Sequence, residues 1–377
     1  MIWIALGSAL LAGAVFAWVS YAVWYFRWET GQTAGMAYYG KSLAERRQIK
    51  RRIRLYSLPV RPLIGLIARL NQNRHEMPAF EFEGVSGPMK VSSPDVFARA
   101  KAYRPGPQDV FVVTQMRCGT TWMQQIVYEI SSRGRGDLGD SGRGHLYAVS
   151  PWIDGVNSVS MDDAPLIGER PTRLIKSHLP VELCPYHSEA KYIYVTRHPL
   201  SCFTSIVDYN RSLLGPLAPP VNALADWFCS DRMYWRPWPR HVEGWWRWAS
   251  ERNNVLFVHF EDMKRDLEGA VERVAAFLGY ALTNDERRLV VGKCTFDYMK
   301  ANEELFEMAP PTMFSVAGGE FLRTGASRES GLTPEVRNQI LDYCRSALRE
   351  CSYPVEDFYP DLADRQRKPP TAERSIG

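Results

Sequence analysis

Hydrophobic and polar positions fall into two regimes along the chain. From Ile2 to Phe26 no charged residue interrupts an apolar run long enough, as a helix, to cross a hydrocarbon core of about 30 Å. Trp3 at one end and Trp18, Tyr21, Trp24, Tyr25 and Trp28 toward the other fit interfacial aromatic belts. A cleavable signal peptide would need a basic leader and a shorter apolar stretch, so the run reads as a membrane span. Beyond residue 75, short β-branched runs alternate with helical periods, which predicts an α/β fold with a mostly parallel sheet and crossover helices. Strands are expected at 109–114, 173–177, 191–196 and 254–260. Helices are expected at 120–132, 199–212, 240–252, 263–279, 284–292 and 333–351. The Gly/Ser-rich stretch 133–144 reads as a loop and the chain from Asp364 as disordered.

Charge sharpens the division. Residues 1–75 hold 11 Lys/Arg and 2 Asp/Glu, a net +9, whereas the rest carries −5. Arg46, Arg47, Lys50, Arg51, Arg52 and Arg54 follow the span, and basic flanks stay cytoplasmic, so the body is expected to face the cytosol. Between Lys41 and Arg74 these charges mix with Ile53, Leu55, Leu58, Leu66 and Leu70, which fits either a membrane-surface element or a linker helix broken at Pro59 and Pro62. The expected organisation is an anchor at 1–28, a basic juxtamembrane segment at 29–75, a catalytic domain at 76–360 and a tail at 361–377. The overall +4 is too small to argue for nucleic acid. Seven scattered cysteines without a C-x-x-C pair favour reduced thiols over disulfides or zinc, and no residue set has metal-ligand spacing.

Candidate chemistry gathers at three strand ends. After Thr114 the chain runs through Arg117, Cys118 and Gly119 into Thr120 and Thr121, which open a helix whose Trp122, Met123, Ile126, Val127 and Ile130 share a face. A strand, a glycine turn and a helix N-terminus with two hydroxyls suit an anionic phosphate, although this is not a Walker A loop. RLIKSHLP ends the second strand with Lys176 and His178 two residues apart, able to point to one side. The third strand ends at Arg197, with Ser205 about two helical turns on.

On these residues the chain resembles the cytosolic-type sulfotransferases, which use 3′-phosphoadenosine 5′-phosphosulfate (PAPS). MRCGTTW resembles the family's PKSGTTW loop, KSHLP its KTHLP, and Arg197 with Ser205 its 3′-phosphate element. WPRHVEGWW, FEDMK, CTFDYMKAN and FLRTG resemble four further family motifs, and the resemblance runs from about residue 80 to 350. It implies a P-loop-like three-layer domain, PAPS as co-substrate without a metal, and an in-line transfer with His178 as general base. Lys176, Arg117 and Ser205 would stand beside it at the transferring group. It further implies a nucleotide site of Arg117, Cys118, Gly119, Thr120, Thr121, Trp122, Arg197, Ser205, Phe260, Cys294, Phe296, Arg323 and Gly325. The acceptor expected beside a membrane is an amphiphile, a small molecule or lipid bearing a hydroxyl or amine.

The sequence departs from the family pattern at several of these positions. Arg117 replaces a lysine, Phe260 a tyrosine, Cys294 a threonine and Thr324 the lysine of RKG, and the family's dimer motif is missing. Two rival readings accompany this one. A nucleotide-dependent kinase would need a loop lysine and an acidic Mg²⁺ ligand, neither evident in place. A membrane-anchored nucleotide-binding protein without catalysis would bind adenosine 3′,5′-bisphosphate (PAP) and turn nothing over. With residues 1–75 read as a tether, their removal is expected to spare activity on a soluble acceptor.

Overall fold

The protein is described from a computed structural model, over residues 2–70, 76–139, 144–315, 331–349 and 351–362. Helix α1 (Ile2–Thr33) leads, followed by α2 (Met36–Tyr39), α3 (Leu43–Tyr56) and α4 (Arg61–Leu70). A hairpin of β1 (Ala79–Phe82) and β2 (Val85–Pro88) precedes α5 (Pro94–Ala102). The body then runs through β3 (Asp109–Thr114), α6 (Thr120–Ser131), β4 (Arg173–Ser177), β5 (Lys191–Thr196), α7 (Pro199–Leu214), α8 (Val221–Phe228), α9 (Trp238–Glu251) and β6 (Val255–His259). It closes with α10 (Phe260–Arg265), α11 (Leu267–Leu278), α12 (Asn284–Cys294), α13 (Phe296–Ala301), α14 (Pro334–Leu348) and α15 (Val355–Phe358).

The expected α/β architecture is present. The strands from β3 onward form one parallel sheet in the order β4-β3-β5-β6. Strand alternation divides its residues between two cores: Phe111, Val113, Tyr192 and Tyr194 point to one face, Val110, Val112, Ile193 and Val195 to the other. Helices α5, α7, α8, α9 and α14 cover the first face, and α6, α11 and α12 the second. Central β3 is buried throughout, as a doubly covered parallel strand must be. In α9, Trp245 stacks on Tyr194 with centroids 5.4 Å apart, so this tryptophan-rich helix is chiefly core.

Parallel strands all end at the same edge. Val113 pairs with Ser177, Thr114 with Val195 and Thr196 with His259. The residues that follow each strand therefore emerge together, at the edge where open α/β sheets collect ligands.

The N-terminal segment is part of the folded body. α1 stays largely exposed, whereas α3 opens with a Ser42–Glu45 capping box and packs inward through Ile49 and Ile53. Arg46 is 1% exposed and donates to the backbone carbonyls of Glu304 and Gly144. Lys50 pairs with Glu304 and Glu307, and the Tyr38 hydroxyl donates to Glu307 at 2.8 Å. Tyr39 packs on His145 and Tyr147, with centroids at 4.3 and 5.2 Å. A detachable tether would make none of these contacts. The expected helix over 263–279 also divides, because Asp266 leaves helical geometry and caps α11 by accepting from the Gly269 amide.

Candidate functional site

The turn after β3 is shaped for an anion. Arg117 has φ 67° and Gly119 φ 103°, the left-handed region, and α6 starts at Thr120. A side chain at Gly119 would strike the Phe260 ring at 2.7 Å, so glycine is required there on two counts. First-turn amides of α6 have no intrahelical acceptor and carry the positive end of the helix dipole. Arg117 Nε donates to Ser205 Oγ at 3.0 Å and its guanidinium lies 5.0 Å from the Tyr209 ring. Burial lowers its pKa to about 10, so it remains a cation at neutral pH. Gln115 braces the turn by donating to the carbonyls of Tyr234 and Arg236 at 2.9 and 2.6 Å.

The end of β4 supplies a lysine and a histidine. Lys176 donates to the Tyr147 hydroxyl at 2.8 Å and sits 3.8 Å from the Trp152 ring centroid. Burial first, and the Arg117 charge as well, lower its pKa to about 7, while Asp154 pulls upward. His178 Nδ1 lies 2.8 Å from the Thr114 carbonyl oxygen, which can only accept, so Nδ1 carries the proton and Nε2 presents a lone pair. Burial and then Lys176 hold the His178 pKa well below the ordinary value, keeping the ring neutral. Trp152 and Trp235 flank that ring, with centroids at 5.6 and 4.8 Å. Asp154 Oδ1 accepts from the His178 amide at 3.0 Å, and His241 Nε2 donates to the His178 carbonyl at 2.9 Å.

After β5, Arg197 lies with its guanidinium carbon 4.5 Å from the Phe260 ring centroid, and its Nη1 donates to the Arg117 carbonyl at 3.4 Å. Trp122 meets Phe260 edge-on at 5.4 Å and donates its indole N–H to the Cys294 carbonyl at 2.7 Å. One cavity of about 1710 Å³ is lined by Arg117, Gly119, Thr120, Thr121, Trp122, Lys176, His178, Arg197, Ser205, Phe260 and Phe296. Cys118 and Cys294 are buried beside it and do not line it. Arg323 and Gly325 lie outside the described residues. Among the described residues, no group of three or more His, Cys, Asp or Glu is arranged to hold a metal ion.

Tyr147, Trp152, Asp154, Tyr209 and Trp235 were missed by reasoning from the sequence. The 150–154 stretch arrives through a parallel bridge, in which the Lys176 amide donates to Pro151 O at 2.8 Å and the Ile153 amide to Lys176 O at 3.0 Å. No periodicity marks so short an addition to a sheet.

A glycine turn, two strand-end cations and a neutral histidine around one cavity define a P-loop-like α/β transferase acting on an anionic group. The model of the sulfotransferase domain matches residues 107–352, which spans every element of this site, so the chain belongs to the sulfotransferase family. It is similar to sulfotransferase 2B1 of Mus musculus, at 29% identity over 77% of this chain and 85% of that protein. The human counterpart is 31% identical, covering 65% of this chain and 67% of its own. A 3-alpha-hydroxysteroid sulfotransferase of Cavia porcellus is 30% identical, over 65% of this chain and 84% of that one. Among solved structures, mouse sulfotransferase SULT7A1 complexed with PAP aligns with a TM-score of 0.54 at 19% identity, covering 72% and 94% of the two chains. Retinol dehydratase in complex with retinol and PAP aligns at 0.56 and 20%, covering 73% and 92%. The resemblance read from the motifs therefore holds at the level of family and fold.

Proposed function

We propose that the protein transfers a sulfonate group from PAPS to a hydroxyl or amine of an amphiphilic, lipid-like acceptor, with α1 in a membrane and the body on its cytosolic side. One observation carries the reading: a neutral His178, its tautomer set by the Thr114 carbonyl, shares a cavity with Lys176 and the Arg117–Thr121 turn. Solved relatives of this fold are complexed with PAP, and one also with retinol. The residues here fit such a nucleotide, because Thr121 Oγ1 and Arg197 Nε are buried at the cavity with no protein partner.

PAPS, when bound, supplies the sulfonate and a nucleotide leaving group. Arg117 and the first turn of α6 would hold its 5′ side, Arg197 and Ser205 its 3′-phosphate, and Trp122, Phe260 and Phe296 its purine. His178 Nε2 takes the acceptor proton, giving an imidazolium whose Nδ1–H still donates to the Thr114 carbonyl. Lys176 as ammonium steadies negative charge at the reacting group. Its hold on Tyr147 and Trp152 keeps the long side chain in place.

Support for the membrane comes from α1, where an 18-residue window within Leu6–Thr33 has mean hydropathy 1.7 and is only 6% buried. Basic residues of α3 follow it. Sulfur-35 transfer from labelled PAPS to a lipid extract of the native host tests the proposal. Label in an amphiphile, lost with His178→Ala, is expected. Label confined to water-soluble phenols would remove the lipid acceptor.

A further inference from the structure

The cavity wall includes residues that the catalytic fold does not supply. Thr30 and Thr33 on the last turn of α1, then Ala34, Gly35 and Met36, line the same cavity as His178. Gly35 is buried with φ 49°, and a side chain there would meet the Val156 carbonyl oxygen at 2.9 Å, so this loop is pressed against a second cavity wall at Val156 and Asn157. α1 remains helical to its end, with Thr33 Oγ1 donating to the Glu29 carbonyl at 2.8 Å. Tyr25, Ile53 and Met313 bury one face of it against the body. The wall is therefore continuous with the span.

Helix geometry sets its height. At about 1.5 Å per residue, about 20 residues from Leu6 cross a core of about 30 Å, which places the exit near Tyr25. Trp24 and Trp28 then mark the interface, and Thr30–Thr33 lie about 7–12 Å beyond it, at the outer edge of the head-group layer. On another side of the cavity, Leu213, Leu214 and Leu217 form an apolar rim, with Leu217 40% exposed. α4 buries none of its residues, exposes Leu66 and Leu70 at 52% and 75%, and carries Arg69 in its last turn. A basic amphipathic helix of this kind suits the same anionic leaflet that α1 enters.

We infer that the acceptor enters laterally from the cytosolic leaflet, between the last turn of α1 and the Leu213–Leu217 rim, and that Thr33 and Met36 select its chain. The inference rests on the amphiphilic acceptor proposed above and adds the route and the residues. It makes the anchor a part of the substrate site, so that the tail of the acceptor stays in the bilayer while its head reaches His178.

The full chain in phosphatidylcholine/phosphatidylglycerol vesicles tests this with a 4-hexadecylphenol carrying a diazirine beside the ring. Photoadducts are expected at Thr33–Met36 and Leu213–Leu217, and excess unlabelled 4-hexadecylphenol should compete them away. Thr33→Trp should cut these adducts and raise KM for vesicle-borne 4-hexadecylphenol about tenfold more than KM for soluble 4-ethylphenol. Adducts confined to Leu10, Val15 and Phe16 would overturn the route, as would equal losses for the two phenols. Competed adducts at Thr33–Met36 without sulfonate transfer would uphold the route and remove the reaction proposed above. Transfer without such adducts would do the reverse.

Discussion

Lys176 and His178 leave one strand two residues apart, and the protein gives them opposite electrostatic tasks. Both are buried, which disfavours charge on each. For His178 the result is a ring held neutral, the form the proposed base requires. For Lys176, with its pKa near 7, it is a cation that a bound polyanion completes. The sign follows: nucleotide binding raises the Lys176 pKa, so above pH 7 binding takes up protons, approaching about one per nucleotide, and affinity falls with pH by up to about tenfold per unit. Calorimetry in two buffers of different ionisation enthalpy measures that uptake. Lys176→Met should abolish it, and an unchanged uptake in that variant would assign the proton elsewhere. Arg197→Ala should weaken PAP by about 1.5–3 kcal/mol while hardly affecting the analogue lacking the 3′-phosphate. Paired titrations decide it, and equal losses would make Arg197 structural. The i,i+2 spacing of Lys176 and His178 was legible in the sequence because strand geometry alone puts them on one side. Their supports were not, because Tyr147 sits on a single 3-10 turn and Asp154 follows the short Trp152–Lys176 bridge, neither of which has a period, and both reach the site through side-chain hydrogen bonds.

Among the elements, those with a strong period were readable. DVFVVT, KYIYVT and RLIKS became β3, β5 and β4 with the expected bounds, and Thr333 with Pro334 opens α14 as its capping chemistry requires. The break at Asp266 was masked because apolar positions on both sides keep a helical spacing while the cap interrupts the backbone. The docking of α2 and α3 had no local signal at all. Arg46 reads as one of six surface charges, yet it is buried by carbonyls 98 and 258 residues away. Tyr39 gives this packing a direct test. Its ring is wholly buried, whereas its hydroxyl has no partner. Tyr39→Phe should therefore raise stability by about 1 kcal/mol, while Tyr39→Ala should cost about 3–5 kcal/mol and loosen the Tyr147 that holds Lys176. Thermal unfolding of the two variants checks both signs. A destabilised Tyr39→Phe would mean the hydroxyl is bonded.

At the scale of the molecule, the charge division along the chain corresponds to a physical one, but not to two independent parts. Helix α1 is exposed and apolar, the sheet edge gathers the residues proposed for the chemistry, and α2–α3 bolt the two together through Arg46, Lys50 and Tyr38. Removing residues 1–75 would strip buried partners from Glu304, Glu307 and Tyr147, so loss of activity on soluble and membrane acceptors alike is expected, against the tether reading. Assays of that truncation on 4-ethylphenol show which holds. His178 is proposed as the base of a sulfonate transfer in this cavity. Single-turnover mass spectrometry of the full-length protein with PAPS and 4-hexadecylphenol in vesicles tests it most directly, with PAP affinity measured in parallel. A sulfonated phenol is expected from the wild-type chain, with a rate lower by about 10²–10⁴-fold in His178→Ala and PAP binding unchanged within about twofold. Tight PAP binding by a wild-type chain that sulfonates no alcohol, phenol or amine, or full turnover by His178→Ala, would contradict it.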